Sequence, residues 1–170
     1  MTMPPLLAFG LGVLMNGVGV ALLAALFAWP WLKARRGHEA LTWLVAPHTL
    51  IRFLGLGFLV PGVVSASLPR AWALPAAYGD LGAGVLAIVA TVALARRLGW
   101  ALPAVWIFNL WGAADLLFAF FEGSRAQLEP GALGAAFYVV TGVVPLLLIS
   151  HALIFRLLTT PSPAPSMAGR

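Results

Sequence analysis

Residues 46–62, "APHTLIRFLGLGFLVPG", are apolar enough to lie in a bilayer, yet they carry His48 and Arg52 four places apart. Ionisable groups inside hydrocarbon cost about 3 kcal/mol even on lenient insertion scales, so each needs a partner. On a helix His48, Arg52, Gly55, Leu59 and Gly62 fall at i, i+4, i+7, i+11 and i+14, a single stripe. The polar pair therefore shares a side with glycines, which let membrane helices approach closely. Leu50, Phe53, Leu54 and Phe58 point elsewhere, towards lipid. The stretch reads as part of a spanning helix with Arg52 turned into a bundle.

The rest of the chain supports that reading. Hydrophobic residues make up 62% and charged residues 9%, against roughly 45–50% and about 25% in globular proteins. So few charges do not cover so much apolar surface in water. Five stretches, 5–32, 41–68, 79–95, 101–121 and 132–158, reach or approach the about 20 apolar residues that a helix needs to cross a bilayer. Continuous apolar runs favour helices over a barrel, and helices satisfy their own backbone groups in lipid. The expectation is an all-α, polytopic integral membrane protein with five transmembrane helices. Residues 1–158 form one transmembrane domain, and the Pro/Ser-rich segment "TTPSPAPSMAGR" (159–170) is a disordered cytoplasmic tail. The opening "MTMPPLLAFGLGVLMNGVGV" lacks a basic n-region and is too long for an h-region, so it reads as the first span rather than a cleavable signal.

Loop charges set the orientation. Lys33, Arg35, Arg36, Arg96, Arg97, Arg156 and Arg170 fall on one side, and only Arg70 and Arg125 on the other, with Asp80, Glu122 and Glu129. By the positive-inside rule the N-terminus is outside and the C-terminus cytoplasmic, which requires an odd number of spans. Trp29, Trp31, Trp43, Trp72 and Trp100 fall near the expected interfaces, while Trp106 and Trp111 lie deeper. A net charge of +5 does not point to nucleic acid, because the basic residues are few and sit in short clusters between apolar runs. The absence of cysteine excludes disulfides, thiolate metal sites and thiol catalysis. Arginine in preference to lysine, with abundant alanine and glycine, suits a GC-rich bacterium, and hence a cell (inner) membrane.

Six charged, imidazole or amide side chains lie deep in the spans. Counted from the cytoplasmic ends at the helical rise, His48, Asn109 and His151 lie about 10–12 Å deep, and Arg52, Asp115 and Asn16 about 16–24 Å. Arg52 is the strong cation at the depth of Asp115, so the two are expected to pair. His48, Arg52, Asn109, Asp115 and His151 are the candidate ligand- or cofactor-binding set. In it Arg52 holds an anionic head, the histidines coordinate or hydrogen-bond, Asn109 orients and Asp115 balances charge. Haem with His48 and His151 as axial ligands, a quinone and a lipid headgroup all suit it. A non-haem metal does not, because Arg52 repels a cation. Structural alternatives are snorkelling of Arg52 and an interhelical hydrogen bond from His151. Pro47 introduces a further one: a helix that starts there leaves "EALTWLVA" as an interfacial segment and His48 at the surface.

Asp80 reads as the N-cap of the third span, and Pro61 and Pro145 as kinks. No catalytic triad with its elbow, phosphate loop or zinc-protease motif is visible. The functional expectation is a small-ligand or cofactor site within the bundle. A proton or ion pathway in a transporter subunit, and an accessory subunit without chemistry, are the alternatives. Membrane lipids, a small molecule, and a membrane-protein partner or second copy are the expected partners.

Overall fold

Five helices carry the fold, and each is long and apolar enough to cross a membrane: α1 (Pro5–Lys33), α2 (Gly37–Leu59), α3 (Arg70–Ala95), α4 (Ala101–Arg125) and α5 (Val139–Thr159). They come from a computed structural model, which describes residues 3–35 and 37–160. Most of the tail expected over 159–170, from residue 161 onward, lies outside the described residues.

The third element begins at Arg70, nine residues before its expected start. Pro75, Tyr78 and Gly79 resemble a break in the sequence, but Pro75 sits in the second turn, where it removes one ladder donor without ending the helix. Asp80 is consequently not a cap. It lies ten residues along α3, about 15 Å from the helix start at the usual rise. The second element starts earlier than either sequence reading allows. It is helical over Gly37–Val45, turns at Ala46–Pro47, and resumes at His48. "EALTWLVA" thus belongs to the same rod, and His48 is buried inside the bundle.

From Arg52 to Leu59 this helix tightens to 3₁₀ geometry. Three residues per turn bring Arg52, Gly55 and Phe58 onto one buried face. The α-helical stripe through Leu59 and Gly62 is therefore replaced, and Phe58 packs on Trp72 with ring centroids 5.1 Å apart rather than facing lipid. Val60 is extended, as residues before proline tend to be. Pro61 therefore follows the end of the helix instead of kinking it. Two other prolines act differently. Pro30 and Pro145 each follow a π-helical turn, Ala24–Ala28 and Val139–Val143. There a wider i→i+5 bond, Trp29 N–H to the Ala24 carbonyl and Val144 N–H to the Val139 carbonyl, relieves the clash of a proline ring with the carbonyl four residues back.

Helix α3 packs against α2 and α4, and α5 against α2, α4 and α1. Helices α2 to α5 therefore enclose a core, and α1 lies outside along α5. Small residues on α3 permit the close packing: Ala77, Ala83, Ala87, Ala90 and Ala93 are completely buried. One apolar cluster, with Leu41, Val45, Leu94, Val105 and Ile154, fills the end near Arg96. A second, with Phe58, Trp72, Ala77 and Leu133, fills the end near Arg125. Trp72 and Trp111 donate from Nε1 to the Ala119 and Gly79 carbonyls at 2.9 and 3.2 Å, which pins α3 to α4 and accounts for the depth of Trp111. At the first end Trp29 lies beneath Arg156, 3.9 Å from the ring centre.

Candidate functional site

Between the two apolar clusters sits the guanidinium of Arg52, completely buried. Its Nη1 donates to Asp80 Oδ1 at 2.6 Å and to Asp115 Oδ2 at 3.1 Å. Its Nη2 donates to the Gly112 carbonyl at 2.6 Å and to His151 Nε2 at 2.8 Å. Four helices thus converge on one side chain. This is the arrangement that buried charge requires: a paired ion with its remaining donors bonded. Nε alone has no partner.

The bonds fix a proton. Arginine has no acceptor, so His151 Nε2 must accept, and its Nδ1 therefore carries the hydrogen. That N–H donates to Asn109 Oδ1 at 2.6 Å, and Asn109 Nδ2 donates to the His151 carbonyl at 3.2 Å. His151 is a neutral imidazole clamped on both nitrogens. His48 lies against it, with ring centroids 4.7 Å apart, and both rest on Phe108 at 5.1 and 5.2 Å. His48 Nε2 is 3.0 Å from Ser150 Oγ, and its Nδ1 is buried without a partner.

Three glycines make the convergence possible: Gly79 of α3 beside Asp115, and Gly112 and Gly55. A Cβ on Gly112 would stand 2.6 Å from His151 Cε1 and 2.7 Å from Arg52 Nη2, and one on Gly55 would stand 2.6 Å from Asp80 Cγ. Neither position has room for a methyl group.

The expected pairing of Arg52 with Asp115 is present, and Asn109 and His151 join it directly. His48 touches the cluster only through ring packing. Asn16 does not take part: it is exposed on α1 and donates to the Gly12 carbonyl one turn back, because α1 stands outside the bundle. Asp80 is the partner that sequence reading missed. Its signal was there in the spacing, since Ala73, Ala77, Asp80, Gly84 and Ala87 recur at three and four along α3, one buried helical face.

The five expected residues do not line one chamber. Asp80 and Asp115 form the floor of a cavity of about 600 Å³, walled by Phe9, Phe58, Trp72 and Leu133 and rimmed by Ser124, Gln127 and Glu129. That volume lies within the range of about 300–1,000 Å³ common for ligand pockets. His48 and Ser150 border a different, apolar groove on the far side. Arg52, Asn109 and His151 lie between the two, lining neither.

This geometry changes two expectations. Bis-histidine haem ligation places the two rings on opposite faces of a macrocycle. Here the rings pack on each other, and both His151 nitrogens are engaged within the protein, so the pair does not fit haem. An anionic head held by Arg52 does not fit either, because the guanidinium is enclosed by acceptors and the cavity floor presents carboxylates instead. No group of three or more His, Asp or Glu able to hold a metal ion occurs among the described residues.

No curated protein and no solved structure matches this chain. Residues 8–159, which include all five helices apart from the first turn of α1, match the family described as a domain of unknown function, DUF8737, and the chain belongs to that family.

Proposed function

We propose that this is a five-span integral membrane protein of a bacterial cell (inner) membrane, with the N-terminus outside and the C-terminus cytoplasmic. We further propose that it binds a small molecule in the cavity above the Arg52 cluster. Five basic residues, Lys33, Arg35, Arg96, Arg97 and Arg156, against Arg70 and Arg125 at the other end, support the orientation. The cavity rim then opens on the outer side.

One observation carries the ligand reading: two carboxylates share a single guanidinium nitrogen at the floor of an apolar cavity. With both ionised, the cluster has one negative charge in surplus. One oxygen of each, Asp80 Oδ2 and Asp115 Oδ1, lacks a donor among the described residues. A ligand with an apolar body and a cationic or hydrogen-bond-donating head complements that floor, because charge-assisted hydrogen bonds in a water-poor site are the strong ones. A quinol or an amine meets this description, and an anionic lipid headgroup does not.

Thermal stabilisation of the purified protein by 3-phenylpropylamine, 3-phenylpropanol and 3-phenylpropionate tests it. The expected order is amine, then alcohol, then carboxylate, with the amine effect weakened about tenfold in Asp115→Asn. Equal stabilisation by the carboxylate, or an undiminished amine effect in that variant, refutes the reading.

A proton or ion pathway is the second reading: Asp115, Arg52 and His151 are hydrogen-bonded in sequence, and His48 adjoins them by ring packing. It requires pH-dependent flux in vesicles that Asp115→Asn and Arg52→Gln reduce.

A further inference from the structure

At the end of the bundle read as cytoplasmic, two cations stand over one indole ring. Lys33 of α1 places Nζ 5.9 Å from the centre of the Trp29 ring, and Arg156 of α5 places its guanidinium carbon 3.9 Å from the same ring. The two cations are therefore no farther apart than the sum of those distances. The aromatic face attracts each of them, but they repel one another. Neither makes an ion pair among the described residues. No acidic side chain is left over at this end: of the five in the chain only Glu39 lies there, and Arg35 holds it at 3.1 Å. Lys33 and Arg156 are both exposed, so their charges face the headgroup layer.

We propose that Lys33, Trp29 and Arg156 form a binding site for an anionic phospholipid, with its phosphodiester between the two cations and its acyl chains along α1. A guanidinium stacked on an aromatic face keeps its N–H edges free, and that planar fork matches two phosphate oxygens. The Lys33 ammonium supplies a further charge-assisted donor. One phosphodiester thus removes the repulsion that the protein's own side chains leave uncompensated. A zwitterionic lipid does not, because its choline or ethanolamine brings a third cation to the same place. The membrane position fits as well. Tryptophan prefers the headgroup level, and the cytoplasmic leaflet is the one whose anionic lipids attract basic residues. Leu26 and Leu22, roughly one and two turns from Trp29 towards the membrane centre, are 64% and 55% exposed and offer acyl chains an apolar surface. The site rests on the reading that the chain spans a membrane. It is independent of the cavity above the Arg52 cluster, with which it shares no residue.

The test is native mass spectrometry of the detergent-solubilised protein, titrated with dioleoylphosphatidylglycerol and with the phosphatidylcholine of the same chains. Phosphatidylglycerol should half-saturate the protein at a concentration at least about fivefold lower than phosphatidylcholine, and excess inorganic phosphate should not displace it. Lys33→Gln and Arg156→Gln should each raise the phosphatidylglycerol midpoint about fivefold, the worth of one basic residue at an anionic surface. Arg96→Gln removes the same charge from α3, which packs on α2 and α4 rather than on α1, and should leave the midpoint unchanged. Equal binding of the two lipids, an unmoved midpoint in Lys33→Gln and Arg156→Gln, or an equal shift in Arg96→Gln overturns the proposal. Displacement by phosphate also overturns it, since a free anion would then suffice. Recovery of the protein from cells in soluble form without detergent would refute the membrane reading itself, so the two fail separately.

Discussion

Replacing Arg52 by methionine preserves an unbranched, buried stem and removes all four hydrogen bonds that the guanidinium donates. In the intact cluster each ion pair gains about 4 kcal/mol at an effective dielectric near 20 and a separation of about 4 Å. Desolvation, at several kcal/mol per ion, offsets most of that gain. In Arg52→Met the attraction disappears and the desolvation cost of Asp80 and Asp115 remains, with the Gly112 carbonyl and His151 Nε2 also left without their donor. Removing one partner from a buried pair typically costs about 3–5 kcal/mol. Two carboxylates on one cation put this variant at the upper end, with protonation of the carboxylates limiting the loss. The triple variant Arg52→Met, Asp80→Asn, Asp115→Asn removes the stranded charge and should recover at least half of it. Denaturant titration in mixed micelles, followed by tryptophan fluorescence, measures both. A single variant within about 1 kcal/mol of wild type, the range of an exposed pair, refutes the reasoning. So does a triple variant no more stable than the single.

Other expectations follow from the same geometry. Gly112→Ala should cost about 1–3 kcal/mol, the usual penalty of overpacking, while Gly10→Ala, which meets nothing within 4 Å, should raise stability by up to about 1 kcal/mol, the helix-propensity gain of alanine over glycine. The same titration compares them, and equal effects would disprove close approach at Gly112. Nitrogen-detected NMR of labelled histidine should find His151 with its proton on Nδ1, and a protonated Nε2 would contradict the bond from Arg52. Because the native chain has no cysteine, single cysteines report sidedness cleanly. Gln127→Cys should react with an impermeant maleimide from outside intact cells and Lys33→Cys only after lysis, and the reverse pattern inverts the topology.

Helix number and the inward turn of Arg52 were legible because hydrophobic length and the cost of buried charge are properties of the chain itself. The identity of the partners was less so. Asp115 was found because it sits mid-run in α4, with no breaker nearby. Asp80 was mistaken for a cap because Pro75 and Gly79 precede it, and the packing of α3 on α4 overrides those local signals. Phe58 was sent to lipid because a 3.6-residue period was assumed where the backbone tightens to three. Asn16 has the right depth but belongs to the one helix that leaves the bundle, and depth along an axis carries no information about direction around it. Local chemistry therefore sets what each helix can bury, whereas the choice of neighbour depends on contacts far apart in sequence.

Helix α1 forms part of the wall of both chambers. Leu6 and Phe9 border the cavity, and residues from Val20 to Trp31 border the groove. Between them Gly12 lies close to Thr141 of α5, where a Cβ would come within 3.1 Å of the threonine Cβ. The groove end of the same rod is fixed as well, by Leu32, which is 2% exposed, and by Trp29 beneath Arg156. One helix therefore closes both chambers, and lifting α1 from α5 opens the two together even though they have no side chain in common.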